Sequence, residues 1–501
     1  PNFLSQQVSI RSNDTIQNVK IVLVSDAFAK MYENRTDYTA KSGFTSNGKG
    51  ITIDEEISSK LGADVHALMH SGSLEQGASM YIRGINSINA SSQPMVIVDG
   101  VELDMQRDRG SLHQGDIFNI LSTISPEDID KVTILKNATA LYGARGANGV
   151  ILIQTKRGHS MATRIDAKIT VGFTTIPSTP SLMNANQFRS YATEMLGTMP
   201  EVQLAQKSAT TMMDFKFLND NPKSYSYMTY HNDTDWKKYM YRNAFTHNYS
   251  INVQGGDDIG MYNLSVAYIQ TLKNVKNTTF DRVNVRFNTD INLLHNLTTK
   301  FDISFSKINS NLLDDGIAPD LSAAPITSPT FLAFVKSPLL SPYQYNHNIK
   351  DFTSLLCEAD ELFNSVGEKY SLSNPLALLE NSTGDRKNRN ENTFFNVAIE
   401  PSFKFNSHLK LTSHFSYYIN RSSQAYYRPN IGMSPFYIEG LGTVYSKVAS
   451  IFNKETNLIS NTHLDWENKY GAHNIALTGG FRYNYYSYDG SDLKTEYQTR
   501  G

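Results

Sequence analysis

Beyond residue 160 the chain alternates apolar and polar residues with a period of two, in stretch after stretch. Phe245, His247, Tyr249, Ile251 and Val253 interleave with Thr246, Asn248, Ser250 and Asn252. Tyr262, Leu264, Val266 and Tyr268 oppose Asn263 and Ser265, and Val283, Val285, Phe287 and Ile291 oppose Asn284, Arg286, Asn288 and Asp290. The pattern returns at Phe395, Val397 and Ile399, at Phe415 and Tyr417, at Leu458 and Leu464, and at Phe481, Tyr483 and Tyr485. With Ile169, Val171 and Phe173 at the front, about nine or ten strands are predicted. Neighbouring residues of a strand point to opposite faces, so each strand has one oily and one wet side. A soluble sandwich alternates as well, but its strands are short and its inner face packs a dry core. Here many stretches reach the roughly 9–11 residues that cross a bilayer at a tilt. The wet face is rich in Asn, Ser, Thr, Lys and Asp, as a water-filled lumen requires. Tight connections (257–260, 295–296) alternate with long ones (177–242, 308–390), the habit of transmembrane barrels. The pattern favours an antiparallel transmembrane β-barrel. No run of apolar residues reaches the roughly 18 that a spanning helix needs.

Composition narrows the function. Lys and Arg number 46 against 48 Asp and Glu, a net charge of −2, which argues against a nucleic-acid surface. The single cysteine, Cys357, excludes an intrachain disulfide framework and a cysteine-rich metal site.

The first 160 residues read differently. Pro94–Val98 and Val101–Leu103 are strands about the tight turn Asp99-Gly100, a hairpin signal. Ser125-Pro126-Glu127-Asp128 reads as a helix start, with Ser at the N-cap and Pro at N1. Lys131–Leu135 is a strand, Ala138–Tyr142 one helical turn, and the glycine-rich Gly143-Ala-Arg-Gly-Ala-Asn-Gly149 leads into a last strand, Gly149–Thr155. A phosphate loop is excluded there, because such loops run from a strand into a helix and this one runs from a helical turn into a strand; glycines at positive φ are expected instead.

These segments, "MYIRGINSINASSQPMVIVDGV" and "ISPEDIDKVTILKNATALYGARGANGVILIQTKRG", with "TDWKKYMYRNAFTHNYSINVQGG" after them, resemble the plug and early barrel of the SusC/RagA-type TonB-dependent receptors of Bacteroidota. "SPLLSPYQYN" and "SNPLALLENS" are similar to the family's later segments. The resemblance implies a mixed α/β plug inside a barrel of roughly 22 strands when complete, about half of them present here. It divides the chain into 1–60 (extension and start of the plug), 61–160 (plug) and 161–501 (first part of the barrel). It further implies outer-membrane import of glycan oligomers or peptides, driven by TonB, with a SusD-like surface lipoprotein as lid. Its structural and gating motif residues fall on Arg83, Gly84, Asp99, Gly100, Tyr142, Gly143, Arg145, Gly146, Asn148 and Gly149. Residues 1–60 show no clear TonB-contacting segment, which leaves TonB engagement open. An open sheet edge in lipid strands backbone donors and acceptors at several kcal/mol each. The remaining wall is therefore expected from the rest of the chain or a second polypeptide.

Several other signals have plain readings. Arg83 and Arg145 are expected in plug–barrel ion pairs, with substrate contact as the alternative. His66 and His70 stand four apart, but without the neighbouring Glu of a zinc-protease helix no metal is expected. Asp54-Glu55-Glu56 is read as a solvated helix start, with calcium binding as the alternative, and Trp236 as a loop anchor. No nucleophile–base or paired-carboxylate arrangement is legible, so no enzyme activity and no cofactor are expected. Three functions stay open: the importer, a receptor-fold scaffold in a larger outer-membrane assembly, and a secreted β-rich adhesin or carbohydrate-binding module.

Overall fold

The computed structural model describes residues 41–498 apart from 49, 70–75, 88–90, 104, 106–110, 114–115, 117, 160, 199–214, 315, 317–325, 358–371, 385–386, 434–435, 439–441, 445 and 472. The first unit carries β1 (Lys41–Thr45), α1 (Ile53–Leu61), β2 (His66–Met69), β3 (Ala78–Tyr81), β4 (Met95–Val98), β5 (Val101–Leu103), β6 (Ile129–Leu135), α2 (Thr139–Tyr142) and β7 (Val150–Thr155). Five strands form a mixed sheet in the order β1-β6-β7-β4-β5, with β4 and β7 parallel. Apolar runs such as Met95–Val98 suit a strand covered on both faces. One face packs Val96, Val98, Ile134 and Ile151 against Ile53, Ile57 and Leu61 of α1. The other packs Met95, Ile97, Leu135 and Val150 over Ala138. Because β1 pairs with β6 and α1 enters the core, this unit includes residues ahead of 61.

Three local expectations are corrected. The acidic start of α1 is not solvated: Asp54 is fully buried and Glu56 nearly so. Asp54 shares the inward face with Ile57 and Leu61, three and seven residues on, so the helix cannot bury one without the other. Ser125 starts no α-helix; Pro126–Asp128 is a single 3-10 turn without a side-chain cap, and β6 begins at the next residue. His66 lies on a strand, so helical spacing to position 70 does not apply, and position 70 itself is outside the described residues.

The second unit is one antiparallel sheet of nine strands: β8 (Met161–Thr174), β9 (Ala244–Gly256), β10 (Gly260–Leu272), β11 (Thr279–Leu294), β12 (Leu297–Asn311), then, past a small hairpin of β13 (Tyr343–Asn346) and β14 (Asp351–Leu356), β15 (Arg389–Lys404) and β16 (Leu409–Arg428). A second small hairpin, β17 (Phe436–Ile438) and β18 (Gly442–Val444), precedes β19 (Ser446–Tyr470) and β20 (His473–Gln498). The nine run from 13 to 26 residues, longer than a bilayer demands. Their register lines up a row of nine partners: Ile165, Val253, Leu264, Phe287, Ile303, Val397, Tyr417, Leu458 and Tyr485. All nine are apolar or aromatic and none is buried. The adjacent row is Asn252, Ser265, Arg286, Ser304, Asn396, Tyr418 and Asn457, and it faces inward. The oily face thus looks outward and the polar face encloses the first unit, which is the arrangement of a transmembrane barrel around its plug.

Tight turns at 257–259, 295–296 and 405–408, with the short link between β19 and β20, close one end of the sheet. Connections 175–243, 312–388 and 429–445 occupy the other end, where 273–278 is the short exception. Phe394, Ala398, Tyr418 and Ile459 project inward and complete the first unit's main core, so the wall itself closes that core.

Candidate functional site

Two features stand out: the seat that holds the first unit in the lumen, and a pocket in the long connections. The seat is built mainly from polar side chains on inward positions of β8 to β12. The turn between β4 and β5 puts Asp99 at φ 47 and Gly100 at φ 86, the left-handed pair of a two-residue hairpin. Asp99 accepts hydrogen bonds from Thr155 N (3.0 Å) and Thr155 Oγ1 (2.6 Å), and it pairs with Arg286 of β11. At Gly100 a Cβ would lie 3.1 Å from the His414 ring, so only glycine lets the hairpin come this close to the wall. His414 in turn contacts Glu400 (3.2 Å), which also pairs with Lys300 (3.0 Å). Arg157, just past β7, forks to Asp290 (Nε–Oδ1 3.0 Å) and Asp302 (2.9 Å), fixing the exit from the first unit onto β11 and β12. Between hairpin and wall lies a cavity of about 620 Å³ lined by Asp99, Gly100, Arg157, Lys300, Glu400 and His414.

Further round the wall, Arg282 donates to the carbonyls of Ile51 and Ser122 (both 2.8 Å) and Asn284 to that of Thr123 (2.6 Å). Lys168 pairs with Glu127 (2.9 Å), and Ser265 donates to the buried Asp128. Burial pushes the carboxyl of Asp128 up, against the pull of Ser265, Arg286 and Arg282. On β16, Gln424 accepts from Leu112 N (3.0 Å), and His113 contacts Asn388 (3.0 Å) beside it. The seat therefore combines a ring of directional polar contacts, whose members water can replace, with two apolar patches, one where Phe394, Ala398, Tyr418 and Ile459 meet the plug core and one where Ile51 meets Ile269, Phe280 and Ile308.

The pocket arises because two long connections fold into one body. The first contributes α3 (Ala185–Gly197), α4 (Tyr227–Tyr230) and α5 (Trp236–Met240); the second contributes α6 (Pro329–Val335) and α7 (Pro375–Asn381). Ser328-Pro329 and Asn374-Pro375 start the last two helices as N-cap and N1, with both side chains accepting from helix N–H groups. Phe215, Phe217, Tyr230, Trp236 and Met240 of one connection interlock with Ala333, Leu339, Leu340, Leu376 and Leu379 of the other. Trp236 Nε1 donates to the Ser337 carbonyl (3.0 Å) and Asn232 Nδ2 to that of Leu339 (3.1 Å), pinning the seam. Above it opens a cavity of about 410 Å³ edged by Tyr225, Tyr343, Tyr345, His347 and Phe352, with Trp236 at its inner end. The rings are ordered: Tyr225 stacks on His347 (3.6 Å, 14°) and Tyr345 meets Phe352 edge-on (5.2 Å).

Residues 56–150 match the model of the TonB-dependent receptor plug domain. The TonB-dependent receptor SusC of Bacteroides thetaiotaomicron is 28% identical over 382 residues, 72% of this chain and 33% of its own length. The chain carries a TonB-dependent receptor plug ahead of a partial barrel and is similar to SusC. A TonB-dependent receptor of Formosa agariphila is 24% identical over 80% of the chain and 33% of its own length. The RagAB peptide importer in its open-open state shares the fold at a TM-score of 0.67 and 19% identity, over 92% of this chain and 49% of that one. The receptor accordingly spans about a third of the length of these curated relatives, and it is an outer-membrane protein. That location overturns the reading as a secreted adhesin, as does the unburied apolar row around the sheet.

Within the receptor the motif residues divide. Asp99 and Gly100 face the barrel directly. Arg145 pairs with buried Glu102 of the plug (2.6 Å), and Glu102 also meets Arg482 of β20, so Arg145 reaches the wall only through that carboxylate. The Arg482 guanidinium lies 5.9 Å from the centre of the Tyr142 ring. Among the described residues Arg83 makes no barrel ion pair, contrary to expectation: it donates to Asn137 Oδ1 (2.8 Å) and the Ala147 carbonyl (3.0 Å), tying down the glycine loop. Gly84 and Gly143 occupy positive φ in open space, Gly146 sits against the Ala138 carbonyl, and Asn148 donates to the Ser91 carbonyl (2.7 Å). Gly149, at φ 90, is the tightest of the positive-φ glycines in that loop: a Cβ would come 2.7 Å from Ile82 Cδ1. We expect Gly149→Ala to destabilise the plug by about 1–3 kcal/mol, seen as faster proteolysis of the 138–155 stretch in outer-membrane vesicles; unchanged protection would count against a packed plug here.

The seat residues Arg157, Arg282, Arg286, Asp290 and Asp302 were not singled out from sequence. Their signal was present. An ionised side chain on the inward face of a long strand needs a partner, and the opposing charges lie on the plug hairpin and its exit.

Proposed function

We propose that the receptor imports an oligomeric nutrient, a glycan or a peptide, through the outer membrane. TonB draws on the N-terminal side of the plug, and a SusD-like surface lipoprotein covers the mouth. Further strands close the wall, since β8 and β20 each have a single partner in the described sheet and lipid cannot satisfy their free backbone groups. The observation that carries the reading is the seat: most of the contacts that hold the folded plug in its polar lumen are replaceable hydrogen bonds and a few ion pairs, with apolar packing confined to two patches, so work done on one end can loosen it. The kinship with SusC and the fold shared with a peptide importer support the same reading. It involves no catalytic group.

The test is uptake of fluorescently tagged oligomers by cells with and without an intact TonB complex, with affinity purification of the receptor from the same membranes. Uptake lost without TonB, together with one co-purifying lipoprotein, is the expected result. TonB-independent behaviour with several unrelated outer-membrane proteins attached would instead identify a scaffold.

A further inference from the structure

We infer that the outer surface of the wall holds the phosphorylated sugar headgroup of an outer-leaflet glycolipid, gripped by Lys307, Arg421 and Lys454. The inference concerns the lipid-facing side of the sheet and does not depend on what the receptor imports. The strand register sets one residue of each strand at a common height, two residues beyond the outward Phe305, Phe395 and Ile419. On β9 and β10 that row carries Tyr249 and Tyr268, rings suited to the headgroup level. On β12, β15, β16 and β19 it carries Lys307, Thr393, Arg421 and Lys454, in phase with the outward oily residues. Lys307 and Arg421 are exposed, and Thr393 and Lys454 half-buried. Ten residue steps separate Leu297 from Lys307 along β12; at roughly 3.3 Å a step and a tilt of about 40° they climb about 25 Å, the height of a barrel's oily band. The cations therefore stand at the rim of that band, on the side of the long connections, which in such barrels face the outside of the cell.

Charge decides what covers them. Arg421 and Lys454 are directly opposed partners, an arrangement in which like charges repel. Among the described residues, none of Lys307, Arg421 and Lys454 has an ion-pair or hydrogen-bond partner. Asp489, opposite Lys454, is the single carboxylate in the row. The acids one outward row higher, Asp281 and Glu391, both feel the charge of Arg389, which pairs with Glu391 (2.9 Å). Three cations against one carboxylate leave a positive surplus that an anion must answer. Lys307 to Lys454 spans three strand spacings, roughly 14 Å, too wide for one phosphate and suited to a sugar headgroup bearing phosphate. Arg421 offers phosphate a planar fork, the Thr393 hydroxyl lies between the cations, and Phe305, Phe395 and Ile419 beneath give acyl chains an apolar bed.

The test uses the receptor extracted from its outer membrane in mild detergent, stripped of lipid and titrated by native mass spectrometry. The probes are the lipid anchor released from the cells' own lipopolysaccharide, the same anchor with its phosphate removed, phosphatidylglycerol and inorganic phosphate. The intact anchor should be retained as one copy and the dephosphorylated anchor bound roughly tenfold more weakly. Lys307→Gln, Arg421→Gln and Lys454→Gln should each weaken binding roughly fivefold. Exchanging the two opposed cations, Arg421→Lys with Lys454→Arg, keeps the charge and should preserve most of the binding. Equal binding of the dephosphorylated anchor, displacement by inorganic phosphate, tighter binding of phosphatidylglycerol, or binding unmoved by all three glutamine variants would overturn the proposal. None of these outcomes bears on whether uptake needs TonB, since all three cations lie outside the lumen.

Discussion

Replacing Arg286 with methionine loosens the plug by roughly 3–5 kcal/mol. Arg286 projects from β11 with its side chain 8% exposed, opposite an Asp99 side chain that is 13% exposed. Once the guanidinium is gone, Asp99 keeps only the two bonds from Thr155 and remains a nearly dry anion. Asp302 and Asp128, which also draw on the Arg286 charge, lose part of their compensation at the same stroke. The expected readout is a leaky outer membrane: cells carrying Arg286→Met become sensitive to large antibiotics, and the purified receptor shows channel openings in planar bilayers. Adding Asp99→Asn removes the stranded charge and should restore much of the seal, with the two effects clearly non-additive. A tight membrane with Arg286→Met alone would mean that the hairpin contact does not hold the plug.

The second large effect concerns acidity. Burial raises the Asp54 carboxyl to about 6, outweighing the hydrogen bond from Asn119; its ordinary value is 3.8. Below the ordinary value the group is neutral in the folded and the unfolded plug alike and costs nothing. As the pH rises through the window from 3.8 to about 6, the unfolded chain releases its proton first, so stability falls. Above that window the penalty is complete, about 3 kcal/mol for a shift of this size. Asp54→Asn keeps the acceptor for Asn119 without the charge. It should therefore strengthen the plug at pH 7.5 by an amount of that order and make no difference at pH 3.5. Hydrogen exchange of the α1 amides, corrected for intrinsic rates, measures this. Asp116 and Asp128 are shifted upward by burial too, so the parent plug tightens on acidification and the variant does so with a smaller slope. A variant less protected than the parent at pH 7.5 would show that Asp54 is worth more charged than neutral.

What could be read from the chain follows from where the information is local. Alternation along 245–253 or 283–293 is a property of consecutive residues, and the nine-stranded sheet with its outward oily row follows it closely. The Asp99-Gly100 hairpin and the positive φ of Gly143 and Gly149 are equally local. Asp54 was misread because its neighbours Glu55 and Glu56 suggest a wet turn, while the amide that meets it inside the core, Asn119, lies 65 residues away. The seat was missed for the same reason: Arg286 and Asp302 look like ordinary lumen residues until the fold brings Asp99 and Arg157 to them. The aromatic pocket draws on Tyr225 and Tyr343 to Phe352, segments with no shared pattern that only a common core joins.

That common core has an evolutionary price attached. Trp236 and Met240 come from one connection and Leu339 and Leu376 from the other, so neither stretch keeps its shape if its counterpart is exchanged. Diversification by shuffling single hairpin tips is closed to this part of the protein. A new preference must arrive either through point changes at the exposed rim or by inheritance of both stretches together, as one cassette.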